Sequence, residues 1–232
     1  MIEEPVKLTI KRPKRRPSEA QILAFQGVPT GFVVDAMDGV GALSPLIKPV
    51  GDGRDLHCVA AGPALTVDNG PADVLALFAA MEFIQAGDVV VSAFGAYQGC
   101  AACGDRVAGM MRNNKAAAFV TDGPVRDYQG IVDAGLPMWC TGINPNSPVA
   151  QGPGKVGLAI QIGGMEVETG DMIIADRDGV VIVPLEQIET VINRLSRIRE
   201  LEASLDQEVA DGLKIFPATQ ALLNSPQTRY ID

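Results

Sequence analysis

The chain has 232 residues, of which 47% are apolar and 20% charged, and it carries a net charge of −9. This is the composition of an ordinary soluble globular protein, with material for one good-sized core or two modest ones and without the run of about 18 apolar residues that a membrane span needs. The acidic balance disfavours nucleic acid or an anionic membrane as a partner, although a few cations or a bound metal can still reverse the field inside one pocket.

The first stretch, MIEEPVKLTIKRPKRRP, has no apolar h-region, and Glu3 with Glu4 argues against a transit peptide, so a cytoplasmic location is expected. Lys7, Lys11, Arg12, Lys14, Arg15 and Arg16 make residues 1–17 a basic arm, expected to lie solvated on the surface or on a neighbouring subunit. Ser18 to Gln21 reads as a capping box that opens a helix through about Phe25, and Thr30 reads as the cap of a second helix, GFVVDAM, ended by Gly39 and Gly41. Leu56 to Val67 is β-like. From Asp73 to Ala86, Val74, Leu77, Phe78, Met81 and Ile84 recur at helical spacing.

After Asp88 the pattern becomes strand, glycine-rich loop, helix, strand: VVVSAF, GAYQGCAACG, DRVAGMMRNNK, AAAFVTD. A further short helix, YQGIVDAG, and a strand, PMWCTG, follow before a Pro/Asn turn. The stretch from Gly157 to Pro184 is β-rich, with turns at Gly163-Gly164, Gly170-Asp171 and Asp178-Gly179. Leu185 to Ala210 is an amphipathic helix, and the tail beyond Gly212 is irregular or briefly helical. The organisation expected is one α/β domain over 18–184 with a helical extension over 185–232 that packs on a neighbouring subunit of a homo-oligomer.

Several tempting motifs dissolve in context. GPGKVG (Gly152 to Gly157) matches the dinucleotide fingerprint in letters but opens a strand rather than a helix, and Lys155 is followed by Val156, so it is no P-loop either. Cys100 and Cys103 form a C-x-x-C without a second pair, and with Cys58 and Cys140 they read as packing residues of a reduced protein. His57 is the only histidine and stands outside any motif, so a histidine-dependent triad is not expected. Lys115 reads as a solvated helix end.

The informative stretch is Gly104-Asp105, twenty residues, then Arg126-Asp127. A helix of about ten residues carries the chain roughly 15 Å away, and the strand Ala117 to Thr121 returns a similar distance. Both ends of the excursion therefore fall along one edge of the sheet, where open α/β sheets place ligands. A helix start offers unpaired backbone N–H groups, at about Arg106 and Val107, to a carboxylate. Arg126 supplies a planar fork of donors, Asp127 can ligate a hard divalent cation, and Asp105 can orient a water on it. The pattern alone leaves the plainer alternative open, with Asp105 as an N-cap and Arg126-Asp127 as a turn pair.

With these residues in view, the chain resembles the class II pyruvate aldolases acting on 4-hydroxy-4-methyl-2-oxoglutarate and 4-carboxy-4-hydroxy-2-oxoadipate, and the related regulators of ribonuclease E activity. VVDAMDGVG, AGDVVVSAFGA, the Gly-Asp-x20-Arg-Asp spacing, TDGPVRD and ETGDMIIADRDGVVIVP carry the resemblance. The resemblance implies a swivelling β/β/α fold assembled as a trimer or a dimer of trimers, with sites at subunit interfaces that use Mg²⁺ or Mn²⁺. On that reading Asp127 holds the metal, Arg126 steadies an enolate, Gly104 through Val107 hold the pyruvyl carboxylate, and Asp105 helps to activate water. Acidic residues of a neighbouring subunit would complete the site: Asp35, where the aldolases tend to carry Glu, and one of Glu200 or Glu202. The implied reaction is retro-aldol cleavage of a small 2-oxo dicarboxylate to pyruvate, with oxaloacetate decarboxylation as a second activity. The rival reading is a non-catalytic protein-binding module like the ribonuclease regulators. A methyltransferase reading finds no nucleotide-binding loop to support it.

Overall fold

Val89, Val90 and Val91 are fully buried, as a β-branched run without alternation must be when both faces of its strand are covered. In the computed structural model, which describes residues 4–231, the elements run β1 (Leu8–Ile10), α1 (Glu19–Ala24), α2 (Thr30–Ala36), β2 (Lys48–Pro49), β3 (Ala60–Asp68), α3 (Leu75–Ala80), β4 (Val89–Ala93), α4 (Asp105–Asn113), β5 (Ala118–Thr121), α5 (Tyr128–Ala134), β6 (Met138–Cys140), β7 (Gly154–Val156), β8 (Ile160–Ile162), β9 (Met165–Val167), β10 (Met172–Ala175), β11 (Val180–Val183), α6 (Ile188–Ala210) and α7 (Pro217–Leu223). Residues 1–3 and 232, the tips of the expected arm and extension, lie outside the described residues.

The architecture is mixed α/β with a long C-terminal helix. β3, β4, β5 and β6 are parallel neighbours in that order, with Val90 opposite Phe119 and Phe119 opposite Met138. α3, α4 and α5 are their crossovers, as parallel pairing demands. β3 also pairs antiparallel with β10 and β7, and β10 pairs with β11. Two apolar clusters result. One surrounds the parallel strands and includes Leu65, Leu77, Phe94, Met111, Phe119, Ile131 and Trp139. The other lies between β10–β11 and the layer of α1, α2 and α6, and includes Phe25, Val33, Met172, Val183, Ile188, Val191 and Leu195.

Local chemistry explains where the elements depart from the sequence expectations. The capping box at Ser18 and Gln21 forms as expected. Thr30 is the first residue of α2 rather than its cap. Its N–H and hydroxyl both donate to the carboxylate of Asp176, each at 2.8 Å, so a distant residue does the capping. The helix expected over 73–86 shrinks to α3 and a 3-10 turn at Met81–Phe83. Asp73 is held outside it, because its carboxylate accepts from the N–H groups of Leu75, Gln151 and Gly152 at 2.8, 2.7 and 2.9 Å. The basic arm is also more than a solvated tail. Residues 8–10 form β1 in parallel with β7, and Arg16 ion-pairs with the buried Asp88 and donates to Ala86 O at 3.0 Å.

Asp73 predicts a measurable pH effect. Burial alone would raise its pKa, but the N–H groups of Leu75, Gln151, Gly152 and Val74 outweigh burial and hold it below the usual carboxylate value. A depressed folded pKa contributes stability that is fully present above the unfolded value, about 3.9, and is lost as pH falls through the folded one. Asp73→Ala should therefore cost about 2–4 kcal/mol at neutral pH by stranding those donors. In denaturant titrations the gap from the parent protein should stay constant above about pH 5 and narrow below about pH 4. A gap that widens on acidification would contradict this account.

All four cysteines are free and buried. Burial pushes the thiol of Cys140 up to about 11 and raises those of Cys58, Cys100 and Cys103 as well. They stay protonated and unreactive near neutrality, which is packing chemistry.

A candidate active site at the ends of the parallel strands

The chain beyond β4, β5 and β6 does not scatter into separate loops. Single parallel bridges join Cys103 to Val125 and Val125 to Ile143. The N–H of Arg126 donates to Cys103 O at 3.0 Å and that of Val125 to Gly142 O at 2.9 Å. These contacts carry Gly104 and Arg126 side by side, so the two ends of the twenty-residue excursion meet. An open cleft of about 290 Å³ forms there, lined by Gly104, Asp105, Arg106, Val107, Arg126 and Asp127.

Two backbone features make that meeting possible. A Cβ on Gly104 would stand 2.6 Å from Asp127 Oδ2 and 3.2 Å from Arg126 Nε, so only glycine lets the Arg-Asp pair approach. Asp127 has φ 59° and ψ 48°, the left-handed region that Asp tolerates better than most residues. In extended chain Arg126 and Asp127 would point to opposite faces. The left-handed residue breaks that alternation, and both side chains line the same cleft. Left-handed conformation at a non-glycine residue costs about 1–3 kcal/mol and concentrates at functional sites.

The helix start is nearly as expected. Gly104 is the N-cap of α4 and Asp105 its first residue, so Asp105 is not a capping side chain. Its carboxylate accepts from the N–H of Arg106 at 2.6 Å, which engages one of the two donors expected to meet the ligand. Among the described residues the N–H of Val107 has no hydrogen-bond acceptor. Arg126 Nε lies 3.2 Å from Asp127 Oδ2, and Arg126 Nη1 donates to Ser147 Oγ at 2.7 Å. The cleft therefore sets a cationic fork and a helix N-terminus beside two carboxylates.

Among the described residues no three His, Cys, Asp or Glu side chains converge as a cation cage. The donor set suits a different arrangement. One or two carboxylates in an open cleft fit a hydrated hard cation such as Mg²⁺, which keeps waters and takes oxygens from a bound substrate.

Asp35, Glu200 and Glu202 do not line this cleft. They sit on α2 and α6, which pack against each other in the other layer of the molecule. His57 is exposed and also lies outside the cleft. Sequence reasoning missed Ser147, which stood inside a stretch read only as a turn, and Gly130. A Cβ on Gly130 would lie 2.6 Å from the Cβ of Asp105, so this glycine of α5 seats the acid against its neighbouring helix. Neither residue carries a signal readable before the fold is known.

The description RraA-like, Aldolase/RraA, matches residues 30–182, which takes in the whole of this cleft. The chain belongs to the Aldolase/RraA family. The Aldolase/RraA relatives include a Halalkalibacterium halodurans protein named "Putative 4-hydroxy-4-methyl-2-oxoglutarate aldolase", 31% identical over 85% of this chain and 92% of that one. An Arabidopsis thaliana protein with the same name, numbered 3, is 30% identical over 62% of this chain and 84% of its own. Among solved structures, Streptomyces coelicolor RraAS2, described as an unusual member of the RNase ES inhibitor RraA protein family, aligns with a TM-score of 0.71 at 26% identity, covering 83% of this chain and all of that one. Aldolase/RraA membership thus joins relatives named as lyases to relatives named as inhibitors, and the residues in the cleft must distinguish them. Among the described residues, no helix of this family member is long and apolar enough to cross a membrane.

Proposed function

We propose that the protein is a divalent-metal-dependent lyase that cleaves a 4-hydroxy-2-oxo dicarboxylic acid to pyruvate and a second oxo acid, and that also decarboxylates oxaloacetate. The observation that carries this reading is the convergence of Gly104, Asp105, Arg126 and Asp127 on one cleft, with Gly104 leaving no room for a side chain between them.

The N-terminus of α4, chiefly the N–H of Val107, receives the substrate's C1 carboxylate. Asp127 would hold Mg²⁺ or Mn²⁺, and the cation would supply Lewis-acid polarisation of the 2-oxo group and a more acidic water. Asp105, at the mouth of the helix, holds and helps to activate the water that takes up the 4-hydroxyl proton. Loss of that proton breaks the C3–C4 bond, and its electron pair becomes the enolate of pyruvate while the 4-hydroxyl carbon leaves as a carbonyl. Arg126 stabilises the negative charge that develops on the C2 oxygen, the point where a fixed donor contributes most to rate. Protonation at C3 releases pyruvate. Oxaloacetate loses CO₂ by the same electron flow, with its C4 carboxylate in place of the hydroxyl-bearing carbon.

On this reading the protein acts as a trimer or a dimer of trimers, and Asp35 with Glu200 or Glu202 reaches the cleft from a neighbouring copy. Residues 185–232 would make part of that contact. In support, α6 buries only Ile188, Val191 and Leu195 in its own chain, and its distal half exposes Leu201 and Val209.

The test is pyruvate release from oxaloacetate and from 4-hydroxy-2-oxo diacids, with Mg²⁺ and then with EDTA. Turnover should appear with Mg²⁺ and vanish on chelation. Turnover that survives EDTA would overturn the metal-dependent mechanism. No turnover, together with tight binding to a ribonuclease, would favour the inhibitor reading that the Streptomyces relative suggests.

A further inference from the structure

A guanidinium on an exposed side chain is ordinarily free to rotate about its last bonds, and a fork that rotates loses the directional advantage of Arg over Lys. Arg126 has one directional tie, the hydrogen bond from Nη1 to Ser147 Oγ at 2.7 Å, and an ion-pair contact between Nε and Asp127 Oδ2 at 3.2 Å that does not align as a hydrogen bond. Among the described residues Nη2 makes no hydrogen bond. The Ser147 hydrogen bond is therefore the contact that orients the plane of the fork, the ion pair with Asp127 keeps it over the cleft, and Nη2 is left for a ligand oxygen.

Ser147 is itself exposed, but it stands in a turn that is fastened on several sides. The N–H of Asn144 donates to Val125 O at 2.9 Å, and its side-chain amide donates to Gln98 O at 2.8 Å. The amide of Asn146 donates to Gly99 O at 3.0 Å, and Asn146 O accepts from the N–H of Ala101 at 3.0 Å. Asn144 Oδ1 closes the turn by accepting from the N–H of Asn146 at 2.9 Å. Beyond it, the N–H of Val149 donates to Ala72 O at 2.9 Å. Asn144 and Asn146 thus staple the turn to the 98–101 loop, which leads directly into Gly104. The hydroxyl is delivered by backbone tied to the same loop that forms the other wall of the cleft.

We infer that Ser147 is a positioning residue, holding the Arg126 guanidinium in the plane that leaves Nη2 for the charged oxygen of a bound substrate. The inference rests on the lyase reading for its effect on turnover and on geometry alone for its effect on Arg126. An interaction that matters once charge develops in the transition state acts on kcat more than on KM.

Pyruvate release from oxaloacetate is measured for the parent protein, Ser147→Ala and Ser147→Thr, beside the side-chain ¹⁵Nε resonance of Arg126, assigned by its loss in Arg126→Lys. Ser147→Ala should lower kcat about five- to tenfold with KM within about twofold. Ser147→Thr, which keeps the hydroxyl, should recover most of the loss. The Arg126 resonance should shift in the alanine variant and return in the threonine one. An unmoved Arg126 resonance in Ser147→Ala overturns the inference whether or not the protein is a lyase. So does a parental kcat in an active protein, whereas absent turnover in the parent sinks the lyase reading and leaves the resonance to decide the role of Ser147.

Discussion

On the proposed lyase reading, Arg126→Ala should lower pyruvate formation about 10²–10³-fold, the loss expected when a fixed donor is removed from developing negative charge. The fold should tolerate the change. The side chain is about one-third exposed and, among the described residues, hydrogen-bonds Ser147 and ion-pairs with Asp127, both open to water, so truncation strands no buried polar atom. The midpoint of thermal unfolding should stay within a few degrees of the parent. Arg126→Lys keeps the charge but loses the fork, and should recover only about a tenth of the lost rate. Steady-state kinetics with oxaloacetate beside a thermal melt separate these outcomes. Full activity in Arg126→Ala would remove this residue from the mechanism, and a collapsed melt would make it a structural residue.

On the same reading, Gly104→Ala should have an effect of similar size by a different route. Gly104 has φ −136°, which alanine adopts without strain, so the substitution does not act through the backbone. Its Cβ would instead meet Asp127 Oδ2 at 2.6 Å and Arg126 Cγ and Nε at 3.2 Å. Asp127 Oδ2 is the end of its side chain and Arg126 is flexible along its length, and both side chains are partly exposed, so they can swing aside at little cost to the fold. Displacing a catalytic group by about 1 Å can cost about 10²-fold in rate. Turnover should therefore fall about 100-fold while the far-ultraviolet dichroism spectrum and melting midpoint change little. Retention of more than half the parental rate would mean that the close approach of Asp127 to Gly104 has no catalytic consequence.

The sequence by itself determined the elements whose chemistry is local. The capping box at Ser18–Gln21 satisfies donors within one turn. The buried valine run of β4 and the periodicity of α6 are each written within a few residues. It also determined that Asp105 and Arg126-Asp127 would share a sheet edge, because a helix and a returning strand of comparable length close on their starting point. Tertiary structure decided whatever depends on a partner distant in the chain. Asp176 caps α2 in place of Thr30, and Asp73 shortens α3 by binding the 151–152 turn. β1 is drawn into the sheet from an apparently solvated basic arm. The same holds for the contacts of Ser147 with Arg126 and of Gly130 with Asp105, and for the left-handed turn at Asp127 that aims two neighbouring side chains into one cleft. Spacing along a chain fixes distances inside one element, whereas hydrogen-bond partners and steric limits between elements exist only once the chain has packed.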